Sequence, residues 1–557
     1  MPVAGPRSLF LMSMLTTHTA VPAARREDFR GFLWICLVFA ALKLAIEIVG
    51  NILAQHAGYG IFRDEMYYLI CGRHLAFGYV DQPPLVALQA RLSELLFGYQ
   101  HMWSLRLISA LAGAATVFLT GAIVWAMRGT RAAAAFAMLG VTVAGVYLGV
   151  DSFLSMNSFD PVFWMLCVLA LIRIAAEHGG PASETPNRER VVRFWWIVLG
   201  ISAGLGLENK DSIVFFLVAA LIALLLTPQR RILANRWFAV ALGLIVLLAL
   251  PNLLWQIHYH FPTLEWLVKI SHSNKDVKLP PLRFLLGQIM MLTPWTSPLW
   301  ISGVVWLLVA RRARPHLFLG VLYLVFLALM MALHAKDYYL APVYPVYFAA
   351  GAICWLPAHP ATARISPVRA IRVTVFSLLF CVGFVLAVPF SIPVLPPRQL
   401  VAWMKTMHFQ PKDSENHAPT LLPQFYADRF GWHEMVQKTA EVYNALPPQE
   451  RAITGVLASN YGEASAINLF GPKYGLPVAI SGHQTYWLWG PHGYTGQEMI
   501  LITDETLADL KPYYASCQVM ARLDDPLAMP WEHKNIDLCR GRFRSYQADW
   551  KEFKSYY

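Results

Sequence analysis

Three carboxylates stand close together in residues 59–85, YGIFRDEMYYLICGRHLAFGYVDQPPL: Asp64 and Glu65 side by side, and Asp81 just before a Pro-Pro pair. Arg63, Arg73, His74, Tyr67 and Tyr68 are threaded among them. A second set of polar residues recurs downstream at the ends of apolar runs: Asp151, Asp160, Glu208, Lys210, Asp211, Arg283, His334, Lys336 and Asp337. A carboxylate can take the proton of an acceptor hydroxyl, a service worth about 10²–10⁴ in rate. Cations stabilise charge as it develops on a departing phosphate. The two together suit transfer of a group carried on a phosphorylated lipid, whose phosphate stays at headgroup depth. Both kinds of side chain must then sit at that depth.

The elements that hold them there are membrane helices. Of 557 residues, 57% are hydrophobic and only 14% charged, against about 25% charged in a soluble chain. Mean hydropathy is +0.45. Apolar runs fall near 31–53, 104–127, 132–150, 158–176, 194–209, 212–227, 236–256, 284–310, 317–335, 338–356 and 370–394. Residues 194–227 are too long for one span, and Glu208, Lys210 and Asp211 would be costly at its centre. Two short helices meeting at a polar turn resolve this, giving eleven spans.

Charge asymmetry supports the count. With the N-terminus cytoplasmic, Arg128, Arg131, Arg188, Arg190, Arg193, Arg230, Arg231, Arg236, Arg311, Arg312, Arg314, Arg364, Arg369 and Arg372 all fall on the cytoplasmic side. The net charge of +11 thus reports orientation and argues against a nucleic-acid role. The long loop 54–103, the loop 257–283 and the acidic residues named above fall on the outer side.

Residues 396–557 are more polar and alternate strand-like runs (AITGVLAS, LPVAIS, EMILIT, CQVMARL) with helix-like ones (GWHEMVQKTAEVYNAL, DETLADLKPYY). That alternation predicts a compact extracytoplasmic α/β domain, separated by the proline-rich VPFSIPVLPPRQ. Its aromatic SGHQTYWLWGP suits either sugar stacking or docking, and a role in shaping acceptor access is expected. Cys517 and Cys539 can pair if this region is extracytoplasmic. Residues 9–15 form a short signal-like core, but the arginines that follow favour a cytoplasmic N-terminal tail, residues 1–30. No Walker or GxGxxG motif is present, so no nucleotide cofactor is expected.

Four stretches resemble one known group: RDEMYYLICGRHLAFGYVDQPPL, NSFDPVFW, GLGLENKDSIVFF and HAKDYYLAPVYPVYFAAGA. The chain resembles GT-C class membrane glycosyltransferases of family 39, the bacterial protein O-mannosyltransferase-like and aminoarabinose-transferase-like enzymes, over residues 31–395. The resemblance implies a GT-C fold and transfer of a sugar from a polyprenyl-phosphate donor to a lipid, glycan or protein acceptor at the outer face of a bacterial inner membrane. It makes Asp64 the catalytic base with Glu65 beside it. Asp81 and Asp160 position the acceptor or a cation, and Lys336, Lys210 and Arg283 face the donor phosphate. A divalent cation is the one candidate cofactor, with His272 a candidate ligand.

One departure stands out: relatives of the aminoarabinose-transferase type place Lys before Pro-Pro, where this chain has Gln82. Simpler roles compete at several sites. Asp64 and Glu65 suit a helix N-terminus, Asp160-Pro161 suits a helix start, and Lys210 and Lys336 suit snorkelling. A transporter or flippase of a lipid-linked sugar is the rival function, though no internal repeat supports it.

Overall fold

The computed structural model describes residues 23–179, 186–273, 277–358, 366–409 and 415–557. The signal-like residues 9–15 and Arg364 lie outside the described residues. The chain is a multi-pass helical membrane protein with a C-terminal region built on a sheet. It divides into two compact units: Met1–Gly50, Arg106–Pro251 and Lys278–Ile392 form the first, and Asn51–Leu105, Asn252–Val277 and Pro393–Tyr557 the second.

Among the described residues, seven helices are long and apolar enough to cross a membrane, and two bent pairs raise that to nine. The bent pairs are Arg131–Val143 with Gly145–Asp151, turned by 64°, and Pro281–Met291 with Pro294–Val309, turned by 91°. Residues 194–227 are divided as expected, into Pro186–Asn209 and Ile213–Leu225 around a turn at Lys210. Ile213–Leu225 has 13 residues and Tyr344–Trp355 has 12. At 1.5 Å per residue each falls well short of a hydrocarbon core of about 30 Å. All eleven apolar runs are helical; Ile213–Leu225 is too short to span unaided, whereas Tyr344–Trp355 is extended at its start by the 3-10 turn Asp337–Val343.

A broken helix frees backbone groups that lipid cannot satisfy, so its break must be served by protein. At the first break Gly145 N–H donates to the Thr293 hydroxyl at 3.0 Å. Thr293, itself in the bend of the second pair, has φ of 68° and is 3% exposed. One buried hydroxyl thus ties the two breaks together. Elsewhere in this unit Ser297–Val309 and Tyr344–Trp355 meet backbone to backbone. A Cβ on Gly303 would lie 2.1 Å from Tyr347 O, and one on Gly351 would lie 1.9 Å from Leu299 O. Close approach through small residues is what drives helix association where lipid is as apolar as leucine.

In the second unit, β1 (Thr454–Ala458), β2 (Ala479–Ile480), β3 (Glu498–Thr503), β4 (Tyr514–Arg522) and β5 (Asn535–Arg542) form one sheet in the order β2-β1-β3-β5-β4. β1 runs parallel to β2 and β3, while β5 runs antiparallel to β3 and β4. The central β3 is a run of buried residues, and the edge strand β4 is exposed over most of its length, as covering on both faces versus one requires. Cys517 and Cys539 stand opposite each other in β4 and β5 and are disulfide-bonded. The helix expected over DETLADLKPYY shrinks to Leu507–Leu510, because Pro512 has no N–H with which to continue the helical ladder.

Two outcomes check this packing. Gly351→Leu must push two backbones apart, an overpacking cost of about 3 kcal/mol or more, and should abolish the monodisperse peak in size-exclusion chromatography; a normal peak contradicts the contact. Replacing both Cys517 and Cys539 by Ser should lower the stability of the second unit by about 2–4 kcal/mol, read as an earlier tryptophan-fluorescence transition.

Candidate functional site

Within the second unit, residues 59–85 fold as a helix and a tight return. Phe62 is extended, and the helix Arg63–Arg73 begins behind it. The Glu65 carboxylate accepts the Phe62 N–H at 2.9 Å and is fully buried. Glu65 therefore caps the helix that carries Asp64. Its acidic first turn and the basic Arg73 in its last turn both complement the helix dipole. The return is closed by Tyr79, whose hydroxyl donates to Cys71 O at 2.9 Å and accepts from Ala76 N at 3.2 Å. Pro84 then starts the helix Leu85–Phe97.

Asp64 differs from Glu65 in being reachable: its side chain is 30% exposed. Its Oδ1 accepts a hydrogen bond from the Tyr461 hydroxyl at 2.6 Å and lies 3.6 Å from Arg63 Nε. Arg63 is held in turn by Asp428 at 3.5 Å and between the rings of Tyr461 and Trp531, at 5.5 and 5.6 Å. Tyr461 opens the helix Tyr461–Phe470, which Asn460 caps through Gly462 N and Glu463 N. A Cβ at Gly462 would meet Arg63 Cγ at 2.6 Å, so only glycine lets this helix start come so close.

Asp81 is half-buried and accepts from the Tyr67 hydroxyl at 2.9 Å. The same hydroxyl lies 2.7 Å from Thr485 Oγ1, which also accepts the Val80 N–H. A phenol has one proton, so if Asp81 takes it, the Thr485 hydroxyl donates back to Tyr67. The loop residue Asp81 is thereby wired to the C-terminal region. Gln82 is 1% exposed and its amide donates to Cys71 Sγ at 3.6 Å. The position where relatives carry Lys is thus internal here. His272 is exposed at the end of the helix Pro262–His272. Among the described residues no group of three or more His, Cys, Asp or Glu is placed to hold a metal.

The first unit holds the other predicted residues. Asp160 is buried, accepts from Asn209 Nδ2 at 2.8 Å and from the Ser212 hydroxyl at 3.5 Å, and lies 3.6 Å from Lys210 Nζ. Lys210 donates to Asn157 Oδ1 at 2.6 Å and is 16% exposed. The rings of Tyr339 and Tyr338 lie 4.7 and 5.5 Å from its ammonium. Those tyrosines belong to the short turn Asp337–Val343 that follows Lys336, so Asp160, Lys210 and the Lys336 turn are one neighbourhood. The turn is fixed by Gln288, whose amide donates to Asp337 O at 3.1 Å and accepts from Tyr344 at 3.0 Å. Arg283 lies exposed on the helix Pro281–Met291 that also carries Gln288.

Several residues escape the sequence reading. Tyr461, Thr485 and Asp428 lie hundreds of positions from their partners, and no local pattern marks them. Lys43 and Glu47 could have been found, as charges four residues apart inside a long apolar run are costly. Lys43 is fully buried, 2.6 Å from Glu47, 2.9 Å from Asp151 and 2.9 Å from Tyr147 O. This places Asp151 in an internal lock. A Cβ at Gly113 would lie 2.4 Å from the Asp151 carboxylate.

Burial pushes the Asp428 carboxyl up to about 7 against the pull of Arg63. Burial likewise raises Glu532 to about 8 and Glu463 to about 7. An unfolded Asp titrates near 3.9, so the folded form binds protons more tightly and loses stability as pH rises from about 4 through about 7. The thermal midpoint of the full chain should fall between pH 5 and pH 8, and Asp428→Asn should flatten that fall. A midpoint that rises over this interval contradicts the assignment.

Residues 81–255 match the family described as dolichyl-phosphate-mannose-protein mannosyltransferase. A 214-residue stretch is 26% identical to the lipid A galacturonosyltransferase RgtD of Rhizobium johnstonii, covering 38% of this chain and 42% of that relative. The fold is shared with ArnT from Cupriavidus metallidurans. The TM-score is 0.56 at 16% identity for the crystal structure bound to undecaprenyl phosphate, covering 90% of this chain and 97% of that one. For the apo state it is 0.55 at 15% identity.

Proposed function

We propose that this protein, a membrane glycosyltransferase of the GT-C class, moves a sugar from a polyprenyl-phosphate donor to a hydroxyl of a lipid acceptor at the outer face of the membrane. The observation that carries the reading is the contrast between two adjacent carboxylates. Glu65 is spent as a buried helix cap, while Asp64 is held by a hydroxyl donor and remains 30% exposed. A general base must be both fixed and within reach of the proton it takes.

In this reading Asp64 accepts the proton of the acceptor hydroxyl as its oxygen bonds to the anomeric carbon. The bond from that carbon to the carrier phosphate breaks, and the phosphate leaves with the electron pair. Lys210, Lys336 and Arg283 neutralise the leaving phosphate, the kind of preorganised charge that contributes most to such steps. Asp81 and Asp160 orient the acceptor. With Gln82 turned inward, the grip on the phosphate falls to those three cations, and the sugar need not be aminoarabinose. The donor and acceptor classes draw on ArnT bound to undecaprenyl phosphate and on a relative named for lipid A. The Cys517–Cys539 disulfide favours an oxidising compartment for the C-terminal region, hence a periplasmic one with the N-terminus cytoplasmic.

With purified protein and a radiolabelled polyprenyl-phosphate sugar, Asp64→Asn should lower transfer about 10²–10⁴-fold without changing donor binding. Lys210→Ala and Lys336→Ala should instead weaken donor binding. Normal transfer by a folded Asp64→Asn protein refutes the assigned base.

A further inference from the structure

We infer that the C-terminal region takes part in the chemistry itself, through Tyr461 acting as the positioning residue for Asp64. The inference rests on the reading of Asp64 as the base and goes beyond a region that only shapes acceptor access.

The geometry is specific. Tyr461 donates to Asp64 Oδ1 at 2.6 Å, leaving Oδ2 as the oxygen free of that bond. A hydrogen bond to one carboxylate oxygen fixes the plane of the group and so aims the other. The phenol is itself immobile. Its ring packs on Tyr67 at 4.8 Å and His483 at 5.2 Å and lies under the Arg63 guanidinium. Its backbone opens a helix whose cap, Asn460, is joined to Glu463 by reciprocal hydrogen bonds, with Glu463 fully buried and also accepting the Ser459 N–H at 2.8 Å. That capping box anchors the tyrosine as firmly as a short helix start allows. A productive base must be held by neighbours whose own conformations are locked.

A second tie repeats the pattern. Thr485, also from the C-terminal region, reaches Tyr67 and thereby Asp81. Two of the three acids in the loop thus take their setting from residues some four hundred positions away.

The test uses the full chain in nanodiscs with labelled donor and lipid acceptor. Tyr461→Phe keeps the ring contacts and removes only the hydroxyl. It should lower kcat about 10–100-fold, the kinetic equivalent of one hydrogen bond to a charged group, with both KM values and the thermal midpoint unchanged. In the Asp64→Asn background the same substitution should cost almost nothing more, because the partner it positions has been altered. Tyr461→His, which restores a ring N–H donor, should recover part of the lost kcat, and it serves as the second variant if Tyr461→Phe does not fold. A folded Tyr461→Phe with normal kcat overturns the inference, as do losses that multiply in the double variant. If Asp64→Asn alone retains full transfer, the base assignment fails first, and that outcome is distinct from either of these.

Discussion

The Asp64–Tyr461 hydrogen bond holds a carboxylate still without burying it, the two demands that a general base would make at once. Several other acids in this protein satisfy only the first. Glu65 caps a helix, Asp160 is enclosed by Asn209, Ser212 and Lys210, and Asp151 is locked to Lys43. Each is fixed by giving up access. Asp64 instead takes one neutral donor and a cation at 3.6 Å, and keeps nearly a third of its side chain open. The second unit supports that donor locally: Asn460 caps the Tyr461 helix, Gly462 makes room for Arg63, and Asp428 and Trp531 hold Arg63 in place.

The first unit solves a different problem, that of keeping charge and broken backbone inside a membrane. The Lys43 ammonium has two carboxylates and a carbonyl around it, so that buried charge does not stand alone. From the bend of the second pair, the Thr293 hydroxyl serves the backbone on both sides of the first break, accepting from Gly145 N–H and donating to Val143 O. Lys210 has an amide oxygen, a carboxylate and two aromatic faces for its charge, yet remains partly accessible.

Periodicity and charge carried the sequence reading far on the helices. The polar turn at Lys210, the start at Asp160 and the four strands from AITGVLAS to CQVMARL all lie where local pattern puts them. Local pattern fails where partners are distant or sequence is mixed. NIDLCRGR gave no strand signal because it carries charge through a strand that is largely buried, and DETLADLKPYY read as helix because its apolar spacing outweighed Pro512. At the site, residue type drew attention to the Asp64-Glu65 pair but could not separate a cap from an exposed acid. That distinction depends on which carboxylate the Phe62 N–H claims, and on Tyr461 from a separate part of the chain.

The proposed transfer turns on one event, the breaking of a bond between sugar and carrier phosphate. The most direct measurement places the wild-type protein in liposomes with a polyprenyl-phosphate donor labelled in both sugar and phosphate, together with a lipid acceptor. The two labels should part, the sugar moving to the acceptor while the phosphate stays with the polyprenol. Labels that remain together while the donor crosses the bilayer would contradict it and favour transport of a lipid-linked sugar.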